Sequence, residues 1–245
     1  MKDFILLNGS PFDMRFPLDS SISFFKRFFL RHPTTILNTE NSNEISCMLG
    51  YQYLNLIKAG NILNKQGHHI GTLCLFRTIE DSLDCFMACA TVDNAVEQWL
   101  SNKLKPSQAA IKWTKKFGKD KLDKYNVKYD EYRKELRDIF NLYSHCTPAL
   151  TRWIFFRIGK RWALNSKPNR IYSCEKNVEA NLVFTLCEFT HCLFLSYEQY
   201  LNAHTKIANT LDKITNILKD EVDKCDKEGL YNELLLPPEL KNAFN

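Results

Sequence analysis

Residues 177–202, NVEANLVFTLCEFTHCLFLSYEQYLN, run for 26 residues without a glycine or proline and are apolar on nearly every side. A run that long and free of breakers reads as a helix, and a helix apolar all round must be enclosed by other chain. The rest of the sequence has to supply that enclosure. Residues 44–65 step through Met48, Tyr51, Leu54 or Asn55, and Lys58, with Gly60 and Gly67 marking the exit. Residues 70–102 have hardly a breaker, so one long helix is expected there. Within 127–158, Tyr129, Tyr132, Leu136, Ile139 or Phe140, and Tyr143 keep helical spacing as far as Pro148, which should kink or restart the helix because it lacks the amide donor. The last helix, 203–226, places Ile207, Leu211, Ile214, Leu218 and Val222 on one face and reads as an amphipathic cover.

Strand alternation is nowhere sustained, so the fold class is all-α. The expected architecture is an antiparallel four-helix-type bundle of 44–65, 70–102, 127–158 and 177–202, with additional N- and C-terminal helices. The domain then spans 44–245, with its core in 44–202. Residues 1–43 read as an irregular segment, interrupted by Pro11, Pro17 and Pro33. Within it, SISFFKRFFLRH is a short aromatic and basic helix whose Phe24, Phe25, Phe28, Phe29 and Leu30 are expected to pack on the body of the fold.

Composition narrows the class further. With 44% hydrophobic and 25% charged residues, the chain can bury a sizeable core and is neither disordered nor fibrous. Nine cysteines without a CxxC pair exclude the usual zinc ribbon and thioredoxin-type motif, and their place in apolar helical runs predicts reduced thiols in a cytoplasmic protein. The N-terminus lacks the apolar stretch and cleavage site of a secretory signal, and no run approaches the roughly 18 apolar residues of a spanning helix, so no transmembrane segment is expected.

Charged and polar groups inside the apolar helices are the candidate functional residues. Arg77, Glu80 and Asp84 stand three and four apart, sharing a stripe with Leu73 and Met87. Arg137, Asn141 and His145 form a second stripe, with Tyr143 and Ser144 alongside, and Glu188 and His191 stand three apart in the enclosed helix. Burying any of these charges alone costs several kcal/mol, so each must pair or face a cleft. Arg77 is expected to pair with Glu80 or Glu188, and Arg77, Glu80 and His145 are expected to meet. Such groups either satisfy one another in a structural core or gather around a shared cleft. Glu188-x-x-His191 is half of the ferritin-like dimetal signature, but the residue three before His145 is Leu142, so neither a metal nor any other cofactor is assigned. The sequence contains no GxGxxG, P-loop, HExxH or GxSxG, so chemistry tied to those motifs lacks its marks.

Arg77-Thr78-Ile79-Glu80, followed later by Asn141-Leu142-Tyr143-Ser144-His145, resembles bacterial helical proteins related to the HEPN superfamily. The resemblance covers about residues 44–200. It implies a helical bundle of the kind found in antiphage and toxin systems, in which many members are metal-independent endoribonucleases that dimerise around an active cleft, using an Arg-x(4–6)-His motif. His145 matches the motif histidine and Asn141 the polar residue before it. Arg137 departs from the pattern, with seven residues between it and His145. On this reading His145 acts as general acid or base and Arg137 stabilises charge developing on phosphate. Charge segregation suits an RNA partner: residues 103–134 hold 11 Lys and Arg against 4 Asp and Glu, whereas 211–245 hold five against eight. The rival expectation is a non-catalytic interaction module whose polar core is purely structural.

Overall fold

A computed structural model of the chain describes residues 4–7, 10–31, 40–122, 155–158, 161–164 and 172–231, together with Lys134, Arg137, Asp138, Phe140, Asn141 and Ser144. Among the described residues the elements are β1 (Phe4–Leu7), β2 (Ser10–Asp13), α1 (Pro17–Arg31), α2 (Glu40–Lys65), α3 (His69–Thr91), α4 (Ala95–Leu100), α5 (Pro106–Leu122), β3 (Phe155–Ile158), β4 (Arg161–Leu164), α6 (Tyr172–Ser196), α7 (Glu198–Ala203) and α8 (Thr205–Lys227). The chain is mostly helical, as its long breaker-free runs require.

Phe189 of α6 is the centre of the core. It is wholly buried, stacks on Tyr53 of α2 at 4.6 Å and meets Phe25 and Phe29 of α1 at 5.7 and 6.1 Å and Phe86 of α3 at 5.5 Å. One ring therefore joins four helices, and truncating such a side chain typically costs about 3–5 kcal/mol. Tyr53 adds a polar tie, its hydroxyl donating to the Thr185 carbonyl at 2.7 Å. Two glycines let the helices close up. A Cβ on Gly50 of α2 would lie 2.6 Å from the Phe29 ring, and one on Gly60 would crowd Thr72 of α3 and Leu182 of α6. Gly60 thus lies inside α2 as a close-approach position, while Gly67, at φ 84°, makes the exit.

The helical runs differ from the sequence expectation at several joints. Residues 70–102 form α3 and α4, separated where Val92 turns extended and Asn94 takes the left-handed conformation. Residues 103–122, a lysine-rich stretch in the sequence, include α5, which packs on α3 and buries Ala109, Ala110 and Trp113. The expected helix over 127–158 does not reach its end, because 155–158 pairs antiparallel with 161–164. A second antiparallel pair, β1 with β2, precedes α1. In both hairpins the paired strands are only four residues long, too short for alternation to show, and the residues between them, Asn8-Gly9 and Gly159-Lys160, are of the types that two-residue hairpin loops favour.

Of the aromatic helix near the N-terminus, Phe24, Phe25, Phe28 and Phe29 pack into the core, whereas Leu30 is exposed. The segment Glu175–Ser196 of α6 is long and apolar enough to match a membrane-crossing helix, contrary to the expectation that no run would be, and 67% of its most apolar window is buried inside the fold.

Candidate functional site

Asp84 organises the polar interior. Its side chain is wholly enclosed, and each carboxylate oxygen accepts one donor: the Trp113 indole N–H at 3.0 Å from α5, and an Arg137 guanidinium nitrogen at 2.5 Å. Phe76, two turns earlier on α3, stacks on Phe140 at 4.9 Å. Since Phe76 and Asp84 meet Phe140 and Arg137 in reversed order, the 137–140 stretch runs antiparallel to α3. A ring stack and a charge-assisted hydrogen bond thus fix its register.

Arg77 pairs with Asp81 at 2.9 Å, one turn on, and not with Glu80 or Glu188 as the sequence suggested. Burial raises the Asp81 carboxyl above its ordinary value; Arg77 opposes the rise, the Asp84 carboxylate adds to it and Arg137 opposes it. Both guanidinium groups therefore act on one carboxylate. Each also leaves one buried donor, Nη1 of Arg77 and Nε of Arg137, without a hydrogen-bond acceptor among the described residues. Asn141 and Ser144 are half-buried on the following turns, with the Ser144 hydroxyl donating to the Asn141 carbonyl at 3.3 Å. Glu80 is buried, as expected. Tyr143 and His145 lie outside the described residues, and so does the expected meeting of His145 with Arg77 and Glu80.

Glu188 and His191 are placed elsewhere. His191 Nδ1–H donates to the Cys187 carbonyl at 2.9 Å, and burial lowers its imidazole below the ordinary value, with the carbonyl and Glu188 opposing and Lys219 of α8 assisting. Burial pushes the neighbouring Cys187 thiol up to about 11, with Lys219, Glu188 and Asp223 as its charged neighbours. The polar groups on this side of α6 therefore answer to α8, while α3 meets α6 through Phe86 against Phe189 and Met87 against Ser196. Among the described residues no three His, Cys, Asp or Glu gather in a way that could hold a metal ion. Cys85 and Cys89, on the buried side of α3, are pushed up to about 12 chiefly by burial, which makes them packing groups and not nucleophiles at neutral pH.

Sequence reasoning missed two features. Asp81 was passed over because the stripe through Arg77, Glu80 and Asp84 favoured the three-residue step over the four-residue step that pairs best. A cavity of about 250 Å³ between the start of α1, α2, α6 and α8 is lined by Phe16, Asp19, Lys65, Glu179, Glu221 and Lys224 among others. Lys65 is held by Asp19 at 2.7 Å and Lys224 by Glu221 at 3.2 Å. Four separate elements build this cavity, so no local pattern in the chain announces it.

No protein-family model matches the chain, and neither a curated protein nor a solved structure does so.

Proposed function

We propose that this chain is a HEPN-like cytoplasmic protein of a defence or stress system that binds RNA, with Arg77 and Arg137 as its phosphate-contacting groups. The single observation that carries the reading is that two guanidinium groups acting on the Asp81 carboxylate each leave a buried donor without an acceptor among the described residues. Leaving a buried donor unmade costs about 1–3 kcal/mol, more when the group is charged. A phosphodiester supplies several acceptor oxygens and negative charge together, and planar guanidinium groups suit it geometrically. Asp84 accepts from an Arg137 guanidinium nitrogen, so the orientation of that group is fixed before a ligand arrives.

Catalysis, on this reading, is metal-independent RNA cleavage. His145 moves the proton at the ribose 2′-hydroxyl or the leaving 5′-oxygen, and Arg137 stabilises the charge developing on phosphate. The architecture proposed with it is an antiparallel four-helix-type bundle of α2, α3, the stretch containing 134–144 and α6, acting as a homodimer. Incubating the protein with bulk RNA in EDTA tests the activity. Cleavage by the wild type and not by His145→Ala, with unchanged circular dichroism, is the expected result. No RNA binding and no cleavage by the wild type would reject it.

The second reading, a non-catalytic interaction module, is favoured by Asp84, both of whose oxygens have donors, from two different elements. A carboxylate paired in that way fixes helix register without chemistry. It predicts that Arg77→Gln and Arg137→Gln alter stability only, with no RNA-dependent readout to lose.

A further inference from the structure

Between Glu97 and Asp120 the sequence contains six lysines, at 103, 105, 112, 115, 116 and 119, and no Asp or Glu. Lys103, Lys105, Lys115 and Lys116 are exposed, beginning in the α4–α5 connection and continuing along α5. Two lysines of this tract are held in place, and their holders are neutral: Lys112 donates to the Gln98 side-chain carbonyl at 2.5 Å, and Lys116 donates to the Thr91 backbone carbonyl. Their positions are fixed while their charges remain uncancelled. Lys26 of α1 is also held by a neutral group, the Asn55 side-chain carbonyl, but it stands alone and not in a tract, and other lysines are paired with acids. Lys65 sits on Asp19 and Lys224 on Glu221, and α8 intersperses its five lysines with five Asp and Glu.

We propose that this tract, from Lys103 through the outer flank of α5, is the surface on which the protein holds the phosphodiester backbone of a single RNA strand. The identity of the polyanion rests on the RNA reading above; the position of the surface does not. From Lys105 to Lys116 the helix advances about 16 Å, several times the charge spacing of a nucleic-acid strand. A single small anion spans no such length, whereas a polymer with regular charge meets several lysines at once. Ile111 and Leu100, exposed at 66% and 61% on α5 and at the end of α4, supply apolar surface beside the cations for sugars or bases. The inner side of α5 sends Trp113 to Asp84, so the helix that carries the tract is anchored to the same carboxylate that holds Arg137.

The test uses the full chain, a labelled single-stranded RNA oligonucleotide and fluorescence anisotropy over a series of salt concentrations. Because each phosphate contact on a single strand contributes about 0.7 to the slope of log affinity against log salt, the triple variant Lys103→Gln, Lys105→Gln, Lys115→Gln should lower that slope by about 2 and weaken binding at low salt. A matched triple variant on α8, Lys206→Gln, Lys213→Gln, Lys219→Gln, should leave the slope unchanged. These lysines are not buried, so circular dichroism should match wild type for both. Loss of affinity with Arg77→Gln but not with the α5 triple variant overturns the tract and leaves the arginine site standing. The reverse result supports the tract and rejects the arginines as phosphate contacts. Failure of the wild type to bind the oligonucleotide, or binding to phosphatidylserine vesicles alone, overturns the tract as an RNA surface.

Discussion

Asp84 and Glu188 are both carboxylates set in the middle of strongly apolar helices, yet they come to opposite ends. Asp84 is wholly enclosed and receives donors from α5 and from the stretch bearing Arg137. Glu188 is half-buried on a flank of α6, where it and Lys219 of α8 both act on Cys187 and His191. The difference lies in what stands opposite. α3 is covered on its Asp84 side by two elements that carry an indole N–H and a guanidinium. α6 turns Phe189 to the interior, and Glu188 falls beside it on a half-buried flank. An acidic residue inside an apolar run thus becomes part of the core only where a neighbouring element delivers donors to it.

The largest expected effect comes from breaking the enclosed side. Asp84→Ala strands Arg137 and the Trp113 indole together, and loss of one partner of a buried pair costs about 3–5 kcal/mol. Urea denaturation should show that loss as a lower midpoint with an unchanged slope. Glu188→Ala should cost less than Asp84→Ala, because the Glu188 side chain is only half-buried. Equal losses for the two variants would abolish the distinction between the sites.

A smaller effect isolates the neutral half of the network. Trp113→Phe keeps most of the ring in its buried place but removes the N–H that reaches Asp84 Oδ1. With one carboxylate oxygen left without its donor, the cost should be about 1–3 kcal/mol. Adding Trp113→Phe to Asp84→Ala should then cost less than the sum of the two, because both remove the same bond. Strict additivity in that double-mutant cycle would separate the indole from the carboxylate.

Much of the fold was legible because its strongest signals are long and periodic. The enclosure of α6 followed from its unbroken apolar run, and Leu211, Ile214 and Leu218 of α8 are buried as their spacing required. What escaped was written in short or mixed signals. The break in the expected helix over 70–102 depends on Val92, Asp93 and Asn94, three residues within an otherwise helical pattern. The apolar face of α5 is two alanines and a tryptophan, masked by lysines on either side. At the site, Asp84 and Arg77 were visible as charges that needed partners, but the partners' identities are tertiary facts. Trp113 lies 29 residues from Asp84 and Arg137 lies 53 away, separations that carry no periodicity to read.

The smallest expected effect concerns the flank of α6 and depends on pH. Burial holds the His191 imidazole below its ordinary value near 6.5, with Lys219 pushing the same way and Glu188 and the Cys187 carbonyl pushing back. The fold therefore favours the neutral ring, and on acidification the unfolded chain takes up this proton before the folded chain does. Stability tied to His191 is intact above the unfolded value and is lost as pH falls from there through the lower folded value. Compared with His191→Gln, which has no proton to take up, wild-type protein should lose urea resistance progressively below pH 6.5. The direct measurement is the proton-NMR titration of the imidazole. Its midpoint should lie below that of an unstructured histidine, and Glu188→Gln should lower it further by removing the carboxylate that supports the imidazolium. A midpoint at or above the unstructured value, or one that Glu188→Gln raises, would show that α8 does not enclose this flank and that His191 faces water.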